Sequence, residues 1–196
     1  MSQISAAGLG ALHVPLASIL PANDESLARL RGVPAVALEW LPGISFVAYH
    51  VNGAFGSHPD DMVCRSIMEL YNLESKLANA GADYAVHGVI VGPGILDNPL
   101  GLDSLTLFGL DVYDATAQHW EDWQYVMIGF RHFGFEPVPD IRTWWTFNAK
   151  LDGLKTLAER QYNTGKPSRG LLIRPLRHEQ RDPFYVSVDN PARGNM

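Results

Sequence analysis

The sequence predicts an α+β fold of mainly antiparallel sheets with flanking helices. Three observations carry that expectation. Apolar β-prone runs and amphipathic runs follow the order ββαββααββ, with strands in adjacent pairs, which argues against a doubly wound parallel sheet. Eighteen glycines and thirteen prolines supply many turns. A hydrophobic content of 46 % with 18 % charged residues suits a chain that buries a core, and 196 residues suffice for one substantial domain.

The elements are justified in chain order. Residues 1–32 combine a Gly/Ala-rich start with Pro21 and the charged stretch Asp24 to Arg31, and read as a peripheral segment made of a strand or loop and a short helix. The main domain is expected over 33–190, with 191–196 as a tail. Val33 to Trp40 is apolar and reads as a buried strand. Leu41-Pro42-Gly43 marks a turn, Ile44 to Val51 a second strand, and Asn52-Gly53 a hairpin. Residues 60–80 read as one amphipathic helix, with Val63, Ile67, Leu70 and Leu77 on its buried face and Gly81 as its C-cap. Strands follow at Tyr84 to Val91 and Leu105 to Tyr113. Trp120, Trp123, Met127 and Phe130 recur at helical spacing over 118–133, with Gly134 just beyond. Pro137 and Pro139 mark a connector. A helix is expected from Asn148, as N-cap, to Tyr162, with Leu151, Leu154 and Ala158 facing inward. Strands at Gly170 to Arg174 and Phe184 to Val188 close the domain.

Composition also excludes some roles. The formal net charge of −6 gives no overall attraction to nucleic acid or an anionic membrane, although Lys166, Arg169, Arg174, Arg177 and Arg181 make the C-terminal part locally basic. Cys64 is the one cysteine, so no internal disulfide exists, which suits a reducing compartment. The start lacks a signal-peptide pattern, and no run approaches the roughly 18 apolar residues of a membrane span. A cytoplasmic protein without a membrane partner is the expectation. The histidines at 50, 58, 119, 132 and 178 show no metal-ligand spacing.

Several short motifs stand in a telling order. They are Glu39-Trp40-Leu41-Pro42-Gly43-Ile44-Ser45, Cys64-Arg65-Ser66, Gly88-Val89-Ile90-Val91-Gly92-Pro93-Gly94-Ile95 with Asn98-Pro99-Leu100-Gly101-Leu102, Leu110-Asp111-Val112-Tyr113, Arg169-Gly170-Leu171-Leu172-Ile173-Arg174-Pro175, and Phe184-Tyr185-Val186. Together they resemble the adenylation domain of ATP-dependent RNA ligases, in the covalent nucleotidyltransferase superfamily. The resemblance covers about residues 33 to 190 and implies an RNA ligase-like fold.

The same resemblance implies that the reactive positions are changed. The family's nucleophilic lysine corresponds to Trp40 and the aspartate after it to Pro42. Two glutamates correspond to Val89 and Arg169, and a late lysine to Tyr185. An indole has only an N–H donor and cannot form a phosphoramidate with AMP. Valine and arginine cannot ligate a divalent metal, and tyrosine is neutral near neutral pH. Lysine–AMP chemistry is therefore not expected. Lys150-Leu151-Asp152-Gly153 spells the lysine motif literally, but it follows the other motifs and reads as the start of a helix with an exposed lysine.

The candidate ligand-binding residues are Trp40, Arg65, His87, Val89, Arg169, Arg174 and Tyr185, and no metal ligand is assigned. Strand alternation puts His87 on the face of Val89, and His87 is either a ligand contact or a satisfied buried histidine. Trp40 either stacks on a base or fills a cavity. Arg65 either meets a phosphate or forms a surface ion pair. Alternation also places Arg174 opposite Arg169, so one of them at most should face the site. Trp144-Trp145 and Trp120/Trp123 form either an aromatic binding surface or core. The expected function is a pseudo-ligase that binds a nucleotide, a nucleotide-derived molecule or an RNA end, with ATP or another nucleotide as ligand and no required cofactor. The rivals are an enzyme repurposed around His87, Asp111 and Tyr185, and a non-catalytic subunit with a protein partner.

Overall fold

The computed structural model of the protein describes residues 16–177 and 183–195. The first sheet contains β1 (Ser18–Pro21), β2 (Pro34–Glu39), β9 (Asp140–Thr146), β10 (Gly170–Pro175) and β11 (Phe184–Asp189), in the order β1-β11-β10-β2-β9. All its pairings are antiparallel except β1 with β11. The second sheet contains β3 (Ile44–Val51), β4 (Ala54–His58), β5 (Tyr84–Val91), β6 (Thr106–Asp114) and β7 (His119–Trp120), in the order β4-β3-β5-β6-β7, with β8 (Glu136–Pro137) parallel to β6. The helices are α1 (Asp24–Ala28), α2 (Met62–Tyr71), α3 (Leu73–Ala78), α4 (Trp123–Phe133) and α5 (Leu151–Ala158), and a 3-10 turn spans Pro191–Asn195. This is an α+β arrangement of mainly antiparallel sheets. No helix among the described residues is long and apolar enough to cross a membrane.

Strand periodicity explains the layering. In β2, Ala35 and Ala37 face one cluster while Val36 and Leu38 face another, so the run is apolar throughout because both its faces are buried. The outer cluster joins Leu171, Ile173, Phe184 and Val186 to Leu27 of α1, to Leu30 just after it and to Leu154 and Ala158 of α5. The central cluster joins Val36, Leu38, Leu172 and Tyr185 to the second sheet and to α2, α3 and α4. The segment expected to be peripheral thus supplies an edge strand and two buried leucines.

Several expectations are corrected. The helix expected over 60–80 is two helices, broken where Asn72 adopts a left-handed backbone (φ 50°) that asparagine tolerates. The break resets the phase, so Cys64, Ile67, Leu73 and Leu77 are buried while Leu70 is exposed. Asp61 caps α2 by accepting from the Cys64 amide. Residues 119–120 pair with β6 and the helix starts at Trp123, ending at a left-handed Gly134. The last helix covers only Leu151–Ala158 with Lys150, not Asn148, at its N-cap. After the connector at Pro137 and Pro139, residues 140–146, assigned no element from the sequence, form the edge strand β9. The hairpin at Asn52-Gly53 forms with both residues left-handed.

Candidate functional site

The site begins where β2 ends. The Trp40 amide donates to the Gly170 carbonyl at 2.9 Å, which fixes the end of β2 beside the start of β10. The Trp40 ring is 8 % exposed, and the Arg169 guanidinium carbon lies 3.9 Å from its centroid. The two residues that the resemblance aligns with a lysine and a glutamate of the family therefore stack on each other. A guanidinium over an indole face is favourable because the ring quadrupole is negative there. Burial lowers the Arg169 pKa from its ordinary value, and the nearby positive charge of Arg193 adds to that. The turn before β3 presses on Val89: a Cβ on Gly43 would lie 2.7 Å from Val89 Cγ2.

Arg169 and Arg174 were expected on opposite faces. Both instead reach the central side of the first sheet, because Gly170 has φ 142° and breaks the alternation before β10 begins. Arg174 is fully buried. Its Nη1 donates to Asp111 Oδ1 at 3.1 Å, its Nε to the Pro175 carbonyl at 3.0 Å and its Nη2 to the Glu121 carbonyl at 3.3 Å. The Tyr185 hydroxyl donates to Asp111 Oδ2 at 2.6 Å. This network joins β6 to β10 and β11 and ties the two sheets together. Burial, and after it the Asp111 charge, push the Tyr185 pKa well above the usual tyrosine value, so this phenol stays neutral and donates. Arg174 and Tyr185, expected as ligand contacts, are thus engaged by the fold.

His87 pairs with Asp111 across β5 and β6, so His87, Asp111 and Tyr185 do converge, but they are 7 %, 0 % and 1 % exposed. The His87 ring packs edge-on against Trp120 at 4.7 Å between centroids, and among the described residues its Nε2 has no hydrogen-bond partner. Burial pushes its pKa down from 6.5 to about 4, against the opposing effect of Asp111. The unfolded chain takes up this proton below about pH 6.5, whereas the folded protein resists until about pH 4. Stability is therefore full above the unfolded value and falls by about 3 kcal/mol as pH drops through that window. Thermal unfolding midpoints followed from neutral pH downward should show this decline, and His87→Gln should flatten it.

Arg65 is exposed on α2 and pairs with Asp60 at 2.8 Å, the surface ion pair that was its alternative reading. Cys64 is buried, and that burial pushes its thiol up to about 12, which makes it unreactive. Trp120 and Trp123 are core residues. His178 and Arg181 lie outside the described residues. The Asn98 turn is held to the connector after α5: Thr164 Oγ1 donates to the Pro99 carbonyl at 2.6 Å, and Lys166 Nζ to the Asp97 carbonyl at 3.3 Å.

Sequence reasoning missed the residues around Trp40. Asn190 is 2 % exposed; its Nδ2 donates to the Arg160 carbonyl at 2.9 Å and its amide to the Arg169 carbonyl at 3.0 Å. The Arg193 amide donates back to the Asn190 carbonyl at 3.1 Å. The backbones of Arg160, Arg169 and Arg193 thus all bond to one buried asparagine. Tyr162 Oη accepts from the Arg169 amide at 3.1 Å. Glu39, half-buried, has its pKa raised by burial and partly lowered by Arg160. No local motif marks this cluster, because its members meet only through the sheet. The donor set does not fit a divalent cation: Val89 has no ligating atom, Arg169 is a cation, and Asp111 is bound to Arg174 and Tyr185.

No family model and no curated protein sequence matches the chain. Solved structures do. The Naegleria gruberi RNA ligase with PPi aligns with a TM-score of 0.74 at 16 % identity, over 87 % of this chain and 53 % of that one. A mutant of that ligase with AMP and Mn aligns with a TM-score of 0.72 at 16 % identity, over 86 % and 53 % of the two chains. A mutant with ATP and Mn gives 0.73 at 16 % identity, over 86 % and 52 %. The chain spans about half the length of these ligases. At this identity the likeness is one of fold, and it agrees with the order of the sequence motifs: the chain has an RNA ligase-like nucleotidyltransferase fold.

Proposed function

We propose that the protein is a pseudo-ligase that holds a nucleotide, or a nucleic-acid end presenting one, at the mouth of its cleft without forming a covalent adduct. The carrying observation is the stack of Arg169 on Trp40. Where attack on an α-phosphate needs a neutral amine, this chain offers an indole. The pair nevertheless keeps one property that a nucleotide uses, a half-buried guanidinium for a phosphate, held in place by the indole face beneath it. Arg193 and Arg160 add positive charge beside it. Deeper in, the Asp111–Arg174–Tyr185 network fills the space between the sheets, which favours binding at the rim over a buried nucleotide. The related fold has been seen with ATP, AMP and PPi in the Naegleria ligase, which supports the ligand class.

Two measurements test this reading. Incubation with α-labelled ATP should leave no label on the denatured protein. A thermal-shift series with AMP, ATP and a 5′-phosphorylated oligonucleotide should raise the melting point for at least one of them, since a ligand at 100 times its Kd stabilises by about 2.7 kcal/mol. Arg169→Ala should reduce that shift. A covalent label overturns the loss of ligase chemistry. No shift with any member overturns the binding role and leaves the partner-subunit alternative in its place. Turnover that disappears in His87→Ala would instead favour the repurposed enzyme.

A further inference from the structure

An open sheet edge is a template for another strand, and proteins usually blunt it with charge, proline, a bulge or brevity. In the first sheet, β9 bears Asp140 and Arg142, and its ladder is interrupted by register shifts and by the left-handed backbone of Trp144, φ 55°. At the other edge β1 is four residues long and ends at Pro21, which has no amide to donate. In the second sheet β7 and β8 are two residues each. Among the described strands β4 is the edge without such a device. It runs Ala54-Phe55-Gly56-Ser57-His58, has no Lys, Arg, Asp, Glu or Pro, and pairs with β3 at five successive positions without a bulge. No described strand lies beyond it.

The turn before β4 fixes which backbone groups the open side presents. Asn52 and Gly53 are both left-handed, with φ 52° and 75°, and a two-residue loop of that kind makes Val51 and Ala54 a hydrogen-bonded pair. Alternation then gives the bonds to β3 to Gly56 and His58 and turns the amides and carbonyls of Phe55 and Ser57 outward. Gly56 sits midway between those two residues. A Cβ there would meet the Tyr49 hydroxyl of β3 at 2.5 Å, so the tyrosine already fills the space over the glycine.

We infer that β4 pairs antiparallel with β4 of a second copy of this chain, about a two-fold axis at Gly56, and so joins two six-stranded sheets into one. Phe55 exchanges both main-chain bonds with Ser57 of the second copy, and Ser57 with its Phe55. Gly56 faces Gly56 as the close, non-hydrogen-bonded pair, with Cα atoms about 4.5 Å apart. A foreign strand brings a side chain of its own to this crowded point beside the Tyr49 hydroxyl, whereas a second copy brings glycine. Because the strand has no acidic or basic residue of the permanently charged kinds, no like charges oppose each other along it. The pairing also closes at two copies, since each β4 has one open side. The seam lies in the second sheet and shares no residue with the Trp40–Arg169 site, so it does not depend on the cleft.

Analytical ultracentrifugation of the full chain, from dilute solution to about 1 mM, tests the inference at the weak end expected of so short a seam. The mass should rise from one chain toward two and stop there. Ser57→Pro removes an outward amide and leaves the bonds to β3 intact, at a place where an edge strand tolerates proline. It should raise the dimer dissociation constant by about tenfold or more. Ser57→Lys, which charges the edge and keeps the amide, should act in the same direction and serves if the proline variant does not fold. Trp144→Ser, on the edge of the other sheet, should leave the dimer unchanged. Ala54→Cys with His58→Cys should give a covalent dimer on mild oxidation, because these positions face each other across the seam as a close pair. A chain that stays monomeric at every concentration, a dimer insensitive to the Ser57 variants, or one lost in Trp144→Ser would each overturn the inference. Association beyond two copies, or a dimer that the two cysteines do not link, would do the same.

Discussion

Asp111→Ala is expected to lower the unfolding free energy by about 3–5 kcal/mol, the cost of leaving a buried charge without its partner. Set against the roughly 5–15 kcal/mol that holds a typical domain together, that loss brings the protein close to unfolding. The reason is geometric. Asp111 accepts from Arg174, from the Tyr185 hydroxyl and from the Val112 amide, and neither Arg174 nor Tyr185 has access to water. Removing the carboxylate leaves the buried Arg174 guanidinium with carbonyl acceptors but without its counter-charge. The paired replacement Asp111→Leu with Arg174→Met should cost less than the sum of the single changes, because it removes both buried charges together. Urea denaturation followed by circular dichroism measures both effects, through a changed midpoint at constant slope. A single Asp111→Ala variant within about 1 kcal/mol of the parent would show that the network contributes little.

Gly170→Ala should cost at least about 3 kcal/mol, since it adds a steric collision to a backbone conformation that L residues avoid. At φ 142° a Cβ would collide with the Val188 carbonyl oxygen of the paired strand. Relief of that collision requires β10 and β11 to separate at their end, where Gly170 pairs with Asp189. The Trp40 amide would then lose its acceptor and Arg169 its position over the ring. A lower urea midpoint together with a red shift of tryptophan emission is the expected result. An unchanged midpoint would mean that the strand end gives way freely.

The cleft illustrates why motif order outruns local periodicity. The motif resemblance implies one site for Trp40 and Arg169, and in the structure these two residues touch. Alternation alone separated Arg169 from Arg174, because it assumed a strand that is regular through Gly170. Spacing gave His87 a face but not its burial, since covering it takes Trp120, which reaches it only through the pairing of β6 with β7. Arg65 kept its place in the motif order while its side chain turned to Asp60 and solvent. Of the arginines bonded about Asn190, the sequence singled out Arg169 but not Arg160 or Arg193, which the sheet and its flanking turns bring to it.

Residue identities alone were enough to state the fold class and that residue 40 carries an indole and no amine, because both depend on what a side chain is. Hairpin turns, strand runs and the chemistry of one side chain are properties of single residues and their near neighbours. What the side chains between the sheets do to one another was a different kind of question. It depends on which groups two sheets bring face to face, and here they bring a carboxylate to a guanidinium and a phenol, and a cation to an indole. Those contacts join residues 63, 74 and 129 positions apart, from Asp111 to Arg174, Asp111 to Tyr185 and Trp40 to Arg169. Pairings over such separations arise from packing, and local pattern does not encode them.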